Sequence, residues 1–290
     1  MSKLEVRGVS FSYKGSTAGK SALDNIDLSI EENKITGIIG HTGSGKSTLV
    51  QMFNGLLKPD AGQIFLDGKD IWGDDIKIRD VRFRVGLVMQ YPEYQLFADT
   101  VEADIAYGPG NMGMTDAEIK AAVIKAAGFV NLDPMLFLKS PFDLSGGQKR
   151  RVALAGVIAM GPEVLVLDEP AAGLDPAGRR EILGKIKEFQ RASGTTVIIV
   201  SHSMEDMAMY CDRVAVLSKG KLAFEGTTPE VFSRSEKLTE VGLDVPEITR
   251  LASALSDSDC SIGKDVYTVG YAYERIKERL DSLKGGTGNE

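Results

Sequence analysis

Nine consecutive residues, Gly40-His41-Thr42-Gly43-Ser44-Gly45-Lys46-Ser47-Thr48, contain the spacing G-x-x-x-x-G-K-[ST]. Glycines at this spacing let backbone N–H groups close around phosphate oxygens, and a helix starting at the lysine adds the positive end of its dipole. Lys46 would then reach the β- and γ-phosphates of a nucleoside triphosphate, and the Ser47 hydroxyl would ligate Mg2+. A Gly-rich surface turn could hold the same glycines. It would not need the β-branched run Lys34 to Ile39 before the loop or the helical pattern Ser47 to Leu56 after it.

Further along, Val164-Leu165-Val166-Leu167 ends in two acids, Asp168 and Glu169. A carboxylate leaving a buried strand emerges at the carboxyl edge of the sheet, where open α/β folds bind ligands. Asp168 is therefore expected to hold Mg2+, through water, and Glu169 to polarise the attacking water as general base. The alternative is a pair of acids capping the next helix. His202 follows the apolar run Thr196–Val200 and suits a γ-phosphate sensor better than a core histidine, whereas His41 sits at a variable place inside the glycine loop. Gln90 ends the run Val85–Met89, where it can contact Mg2+ or water while the loop after it moves. Tyr13 is a lone aromatic at a strand end, able to stack on a base or pack in a core.

The turn Leu144-Ser145-Gly146-Gly147-Gln148 opens a helix running to Met160, so its amides form a second anion-binding N-terminus. A role on the chain's own nucleotide is awkward, because the glycine loop already surrounds those phosphates. Contact with the γ-phosphate on an opposing subunit explains why a second such device exists. A plain helix cap with flexible glycines is the bland alternative.

The elements that must position these groups are readable from periodicity. Leu4, Val6, Val9, Phe11 and Tyr13, then Leu23, Ile26, Leu28 and Ile30, alternate as strands with one wet face, and Gln63–Leu66 adds another. Between about 95 and 160 the apolar spacing turns helical at Val101–Tyr107, Asp116–Phe129 and Gly146–Met160, with a helix start at Thr115-Asp116-Ala117-Glu118. From Val164 strands and helices alternate again: Ala177–Ala192 and Ser203–Tyr210 as helices, Arg213–Leu217 and Lys221–Phe224 as strands. Short buried β-branched runs between helices predict a mainly parallel sheet. Amphipathic helices follow at Pro246–Leu255 and Tyr267–Leu283, and Gly285–Glu290 reads as a frayed tail.

Bulk properties narrow the function. The chain has 290 residues, a net charge of −7, 43% hydrophobic and 26% charged residues. That fits one large domain with an appendage and argues against a nucleic-acid partner, which favours a basic face. Cys211 and Cys260 lack CxxC spacing, which suits structural roles in a reducing cytosol. Met1-Ser2-Lys3-Leu4-Glu5 offers no signal-peptide core, and no apolar run approaches the roughly 18–20 residues that span a bilayer. The chain is not expected to cross a membrane by itself.

With these motifs in this order, residues 3–235 resemble the ATP-binding subunits of ABC transporters. The resemblance implies a P-loop NTPase: a RecA-like α/β core, an antiparallel β subdomain and an inserted α-helical subdomain at about 95–160. A C-terminal helical appendage at 236–284 and a tail at 285–290 would follow. It makes Tyr13 the adenine stacker, Gly40 to Thr48 and Gln90 the ATP contacts, and Leu144–Gln148 the signature motif facing a partner's ATP. Asp175, in Ala172-Gly173-Leu174-Asp175, becomes the D-loop residue linking two sites. Ala171 departs from the pattern, since members often have Thr or Ser there; no catalytic group is lost.

The segments Gln90–Phe97, Thr100-Val101, Asp104–Pro109 and Gly242–Ile248 are similar to the energy-coupling factor branch, and to the second type of ATPase where two are paired. That implies ATP and Mg2+ as cofactors and a second ATPase subunit, identical or similar. It also implies a transmembrane coupling protein and a separate membrane protein that captures a vitamin or transition-metal ion. The place would be the cytoplasmic face of the cell membrane. The alternative, a non-transport ABC ATPase acting on nucleic acid, would need a long coiled coil between Lys46 and Ser145 or a second cassette. Only about a hundred residues separate the two, and the chain has one cassette. A P-loop kinase would not need the Ser-Gly-Gly turn.

Overall fold

A computed structural model describes residues 1–14, 21–255, 262–263 and 266–285. Cys260 and the tail beyond Gly285 lie outside the described residues. The chain begins with β1 (Ser2–Phe11), β2 (Leu23–Glu31), β3 (Ile35–Ile39), α1 (Lys46–Phe53), β4 (Ala61–Leu66), β5 (Lys69–Asp70), α2 (Ile78–Arg84) and β6 (Val85–Val88). Three helices come next: α3 (Val101–Asn111), α4 (Asp116–Phe129) and α5 (Gly146–Ala159). The alternation then resumes with β7 (Val164–Asp168), α6 (Pro176–Ser193), β8 (Thr196–Val200), α7 (Met204–Tyr210), β9 (Arg213–Ser218) and β10 (Lys221–Thr227). The described chain closes on α8 (Thr228–Phe232), α9 (Ser235–Glu240), α10 (Glu247–Leu255) and α11 (Val269–Gly285).

Two sheets form. The smaller is antiparallel, in the order β2-β1-β4-β5. The larger runs β10-β9-β3-β8-β7-β6, parallel except for β10. Strands β3, β7 and β8 are buried at every position, which is why they read as unbroken apolar runs. Successive side chains still point to opposite faces. Leu165, Leu167, Val197 and Ile199 pack among the helices, in the cluster that also holds Ile105, Val123 and Leu154. Val164, Val166, Ile198 and Val200 face the antiparallel sheet and α1, against Leu4, Val6 and Leu49. Each such side chain contributes roughly 1.5–3 kcal/mol by leaving water.

The strand pattern and the α/β class expected from the sequence are present, and the start of α4 is a capping box. Thr115 Oγ1 accepts from the Glu118 amide at 3.4 Å, and Glu118 Oε2 accepts from the Thr115 amide at 2.8 Å. Helices α2, α8 and α9 were not anticipated. Only Val81 of α2 is buried, so the helix has almost no apolar face to read. Tertiary contacts hold it instead, among them Arg82 Nη2 donating to the Gly55 carbonyl at 3.0 Å. Helix α3 also continues past Tyr107, through Pro109, to Asn111.

The edge of the sheet where the strands begin is fastened by charge. Lys3 Nζ lies 3.0 Å from an Asp67 carboxylate oxygen and 2.6 Å from Glu163 Oε2. Arg84 donates through Nε to Glu163 Oε1 at 2.7 Å and through Nη2 to Asp67. The four residues tie β1, the β4–β5 turn, the end of α2 and the entry to β7. The Arg84 hydrogen bond, then that of Lys3, holds the Glu163 carboxyl down at about 2 against the opposing effect of burial. A depressed carboxyl stabilises the fold fully above its unfolded value near 4.5, and the contribution fades as pH falls toward 2. Because Glu163 is 42% exposed, solvent screening leaves about 1 kcal/mol of this. Glu163→Gln should therefore lower the urea midpoint at pH 7 and narrow its deficit against wild type as the pH is taken from 4.5 to 3.5. A deficit independent of pH would show that Glu163 contributes through packing alone.

Candidate functional site

Four neighbouring parallel strands, β3, β8, β7 and β6, end at one edge and deliver the candidate groups in that order. The glycine loop leaves β3, His202 follows β8, Asp168 ends β7 with Glu169 just after it, and Gln90 follows β6. Pairing aligns them: Ile38 is opposite Val200, Val200 opposite Asp168, and Leu167 opposite Val88. Beyond the strands the Glu169 amide still donates to the Val200 carbonyl at 2.9 Å. A cleft of about 240 Å3 results, lined by Thr42, Gly43, Gly45, Lys46, Ser47 and Thr48 on one side and by Gln90, Asp168, Glu169, Val200 and His202 on the other.

The loop is held by its own geometry. Gly45, at φ 102°, forms the left-handed N-cap of α1, and a Cβ there would meet the Ala22 carbonyl oxygen at 2.6 Å. No side chain caps α1, so its first amides are left to a ligand. The Lys46 ammonium is buried and donates to the Gly40 carbonyl at 2.6 Å and the His41 carbonyl at 2.9 Å. Burial pulls its pKa down against the attraction of Glu169 and Asp168. Ser44 is buried with an unpartnered hydroxyl, while the rings and side chains of His41 and Thr42 are exposed.

Both acids are desolvated, and Glu169 is strained. Glu169 adopts φ 53°, a left-handed conformation costing on the order of 1 kcal/mol or more for a residue with a side chain. Burial, then the adjacent Asp168 charge, pushes its carboxyl up to about 7. Burial likewise raises Asp168, partly offset by a hydrogen bond from Ser47. His202 Nε2 lies 3.1 Å from Glu169 Oε1, yet that oxygen has no hydrogen bond of good geometry. Burial, then Lys46, lowers the His202 pKa, so at neutral pH this is a neutral imidazole beside a carboxyl rather than a salt bridge. Asp168 Oδ1 is buried and unpartnered. A buried carboxylate beside a serine hydroxyl is a hard-oxygen set of the kind a divalent cation such as Mg2+ compensates.

The remaining expected residues are near the cleft or away from it. Tyr13 lies just past β1, half exposed, its hydroxyl 3.0 Å from Thr48 Oγ1 and its ring edge-on to Phe11 at 5.0 Å. None of Leu144–Gln148 lines the cleft. Ser145 and Gln148 form a capping box at α5, with the Ser145 hydroxyl accepting from Gln148 at 3.3 Å and Gln148 Oε1 accepting from the Ser145 amide at 3.0 Å. Gly146 and Gly147 are exposed, and a Cβ at either would meet nothing within 4 Å. Their amides, in the first turn of α5, have no acceptor within the helix. Asp175 caps α6, its Oδ1 accepting from Gly178 at 2.8 Å.

Sequence reasoning missed Arg150. This buried side chain of α5 donates to the Ala172 carbonyl and approaches Glu93, in the short helical turn Pro92–Gln95, at 3.6 Å. Helix α5 thus touches both the loop after Gln90 and the turn after Glu169. Nothing local marks an arginine for burial, so only the fold could reveal it.

Glycine loop, acidic strand end and outward Ser-Gly-Gly turn define a nucleotide-binding ATPase cassette. The family profile described as ABC transporter matches residues 23–172, and one described as an AAA domain matches 138–207. The chain is 49% identical over 282 residues to the energy-coupling factor transporter ATP-binding protein EcfA2 of Caldanaerobacter subterraneus, covering 97% of this chain and 99% of that one. It is 48% identical over 283 residues to the EcfA2 of Clostridium acetobutylicum, covering 97% and 99%. Among solved structures, cbiO1 from Clostridium perfringens, part of the ABC transporter complex cbiONQ, superimposes with a TM-score of 0.73 at 39% identity, covering 87% and 99%. The ATP-binding cassette MJ0796, as a dimer after hydrolysis bound to ADP and Pi, gives 0.71 at 26% identity, covering 78% and 98%. The chain belongs to the ABC transporter ATP-binding subunits, among the energy-coupling factor ATPases; it is a transport ATPase. Among the described residues no helix is long and apolar enough to cross a membrane.

Gly45→Ala should lower stability by about 1–3 kcal/mol, because the new methyl meets the Ala22 carbonyl and the backbone is left-handed. Thermal unfolding measures this, and an unchanged midpoint would mean the loop relaxes freely.

Proposed function

We propose that the chain binds ATP with Mg2+ in the strand-end cleft and hydrolyses it there when a second ATPase subunit, identical or similar, lays its signature turn across the γ-phosphate. The observation that carries this reading is the exposed pair Gly146 and Gly147, a helix N-terminus outside the chain's own cleft whose amides have no acceptor within the helix. Residues 3–235 form the ATP-binding domain, with the helical part at about 95–160, and 236–284 an extension.

In the cleft the amides of Gly40 to Thr48 cradle the phosphates and Lys46 neutralises the β- and γ-oxygens. Tyr13 offers its half-exposed ring to adenine. Ser47, Asp168 and Gln90 would hold Mg2+, which would offset the charge of the phosphates. Glu169 takes a proton from water as the water oxygen bonds to the γ-phosphorus. The bond from that phosphorus to the β–γ bridging oxygen breaks, leaving ADP and inorganic phosphate. A carboxyl with a pKa near 7 is matched to that proton transfer. His202, uncharged, reports on the γ-phosphate, and Asp175 connects the paired sites.

A groove of about 350 Å3 beside the Gln90 loop supports a membrane partner. It is lined by Phe97, Tyr107, Leu87, Val157 and Met160. Phe97 and Tyr107, more than half exposed and edge-on at 4.7 Å, suit an apolar helix of a transmembrane coupling protein. On α11, Val269, Tyr273, Ile276 and Leu280 form an exposed stripe that supports further contact with the second ATPase subunit. In this reading the chain works at the cytoplasmic face of the cell membrane, energising uptake of a vitamin or transition-metal ion captured by a separate membrane protein.

Glu169→Gln should still bind ATP while turnover falls about 100-fold or more, and light scattering should show an ATP-dependent dimer. Normal turnover would remove Glu169 from the mechanism. Phe97→Asp should abolish co-purification with the membrane partner and leave nucleotide binding intact; retained co-purification would place the partner elsewhere.

A further inference from the structure

His41 and Val241 are 200 positions apart, yet the His41 ring Nε2 lies 2.9 Å from the Val241 carbonyl oxygen. A carbonyl can only accept, so Nε2 holds the proton and donates. The acceptor is held rigidly. Val241 is the C-cap of α9, Gly242 adopts φ 73°, its amide bonds the Thr239 carbonyl at 2.8 Å, and the Leu243 amide bonds that of Leu238 at 2.8 Å. Leu238, Leu243 and Val245 anchor this turn in the main core. A few residues on, the Glu247 amide donates to Glu205 of α7 at 3.4 Å. The segment 241–247 therefore touches elements on both sides of the cleft, the glycine loop and the helix that follows His202.

We propose that His41 is a positioning residue through which the start of the C-terminal extension holds the phosphate loop and sets ATP affinity. The inference rests on reading Gly40–Thr48 as that loop. The His41 carbonyl is itself an acceptor for Lys46 Nζ, so the bond to Val241 fixes the peptide that seats the ammonium. Holding a loop in its binding shape lowers the ordering cost of ligation. The ring is exposed and does not line the cleft, so its effect falls on affinity and not on the bond-breaking step. Gly242 belongs to the same device, because a Cβ there would lie 2.7 Å from His41 Nε2 and push the ring away.

The test uses the full chain, a fluorescent ATP analogue and the assembled transporter for turnover. His41→Ala and Gly242→Ala should each weaken the analogue's binding roughly three- to tenfold and raise the ATP KM to match. Their kcat should stay within about twofold of wild type. His41→Gln, whose amide can still donate to Val241, should recover most of the affinity. Wild-type affinity in His41→Ala, a fall in kcat at unchanged affinity, or no recovery in His41→Gln would each overturn the proposal. Should Gly242→Ala fold poorly, the exposed His41 variants decide alone. Lys46→Ala is the control: if it loses binding while the His41 variants do not, only this proposal fails. If Lys46→Ala binds normally, the reading of the loop itself fails.

Discussion

Every candidate catalytic group depends on the register of four parallel strands. The ladder that sets Val200 between Ile38 and Asp168 fixes where the glycine loop, His202 and the two acids emerge. A slip by one residue would turn Val164 and Val166 toward the helices and move Asp168 off the edge. The register is enforced because β3, β7 and β8 are buried on both faces, so any slip misplaces apolar side chains twice over. The ionic cluster of Lys3, Asp67, Arg84 and Glu163 fastens the opposite edge. Its contribution is modest, and its placement keeps the two sheets aligned behind the site.

What the register assembles is a cleft short of compensation. Two carboxyls are pushed toward their neutral forms by burial, Lys46 is held by two carbonyls, and Asp168 Oδ1 has no partner. Such a site suits a ligand that brings charge of its own, as a nucleotide does. The turn Leu144–Gln148 also lacks compensation. Its capping box uses the Ser145 and Gln148 amides, leaving those of the exposed Gly146 and Gly147 without an acceptor in the helix. Arg150, between Glu93 and Ala172, joins the loop after Gln90 to the turn after Glu169.

Much of this was legible before the fold was known, for physical reasons. Buried parallel strands need apolar runs on both faces, and a residue just past such a run must sit at the edge, so Asp168, Glu169, His202 and Gln90 could be placed by position alone. The glycine loop was legible because its spacing is set by phosphate geometry. Short helices with little apolar face, such as α2, were not. Nor was the contact between His41 and Val241, which depends on how a turn packs 200 positions away. The histidine sits at a variable place in the loop, and Val241 lies just before the segment Gly242–Ile248, with no feature that marks it. Arg150 was hidden for the same reason: burial of a charge is decided by tertiary structure.

The central claim is that this chain's signature turn completes a site on another subunit. It is tested most directly by Ser145→Arg in the transporter purified from native membranes, with photo-crosslinked ATP and turnover measured together. Nucleotide on this chain's own glycine loop should be unchanged while turnover of the complex falls about tenfold or more. Turnover within about twofold of wild type would contradict a trans role for the turn, and loss of nucleotide from this chain's own loop would place the turn in cis.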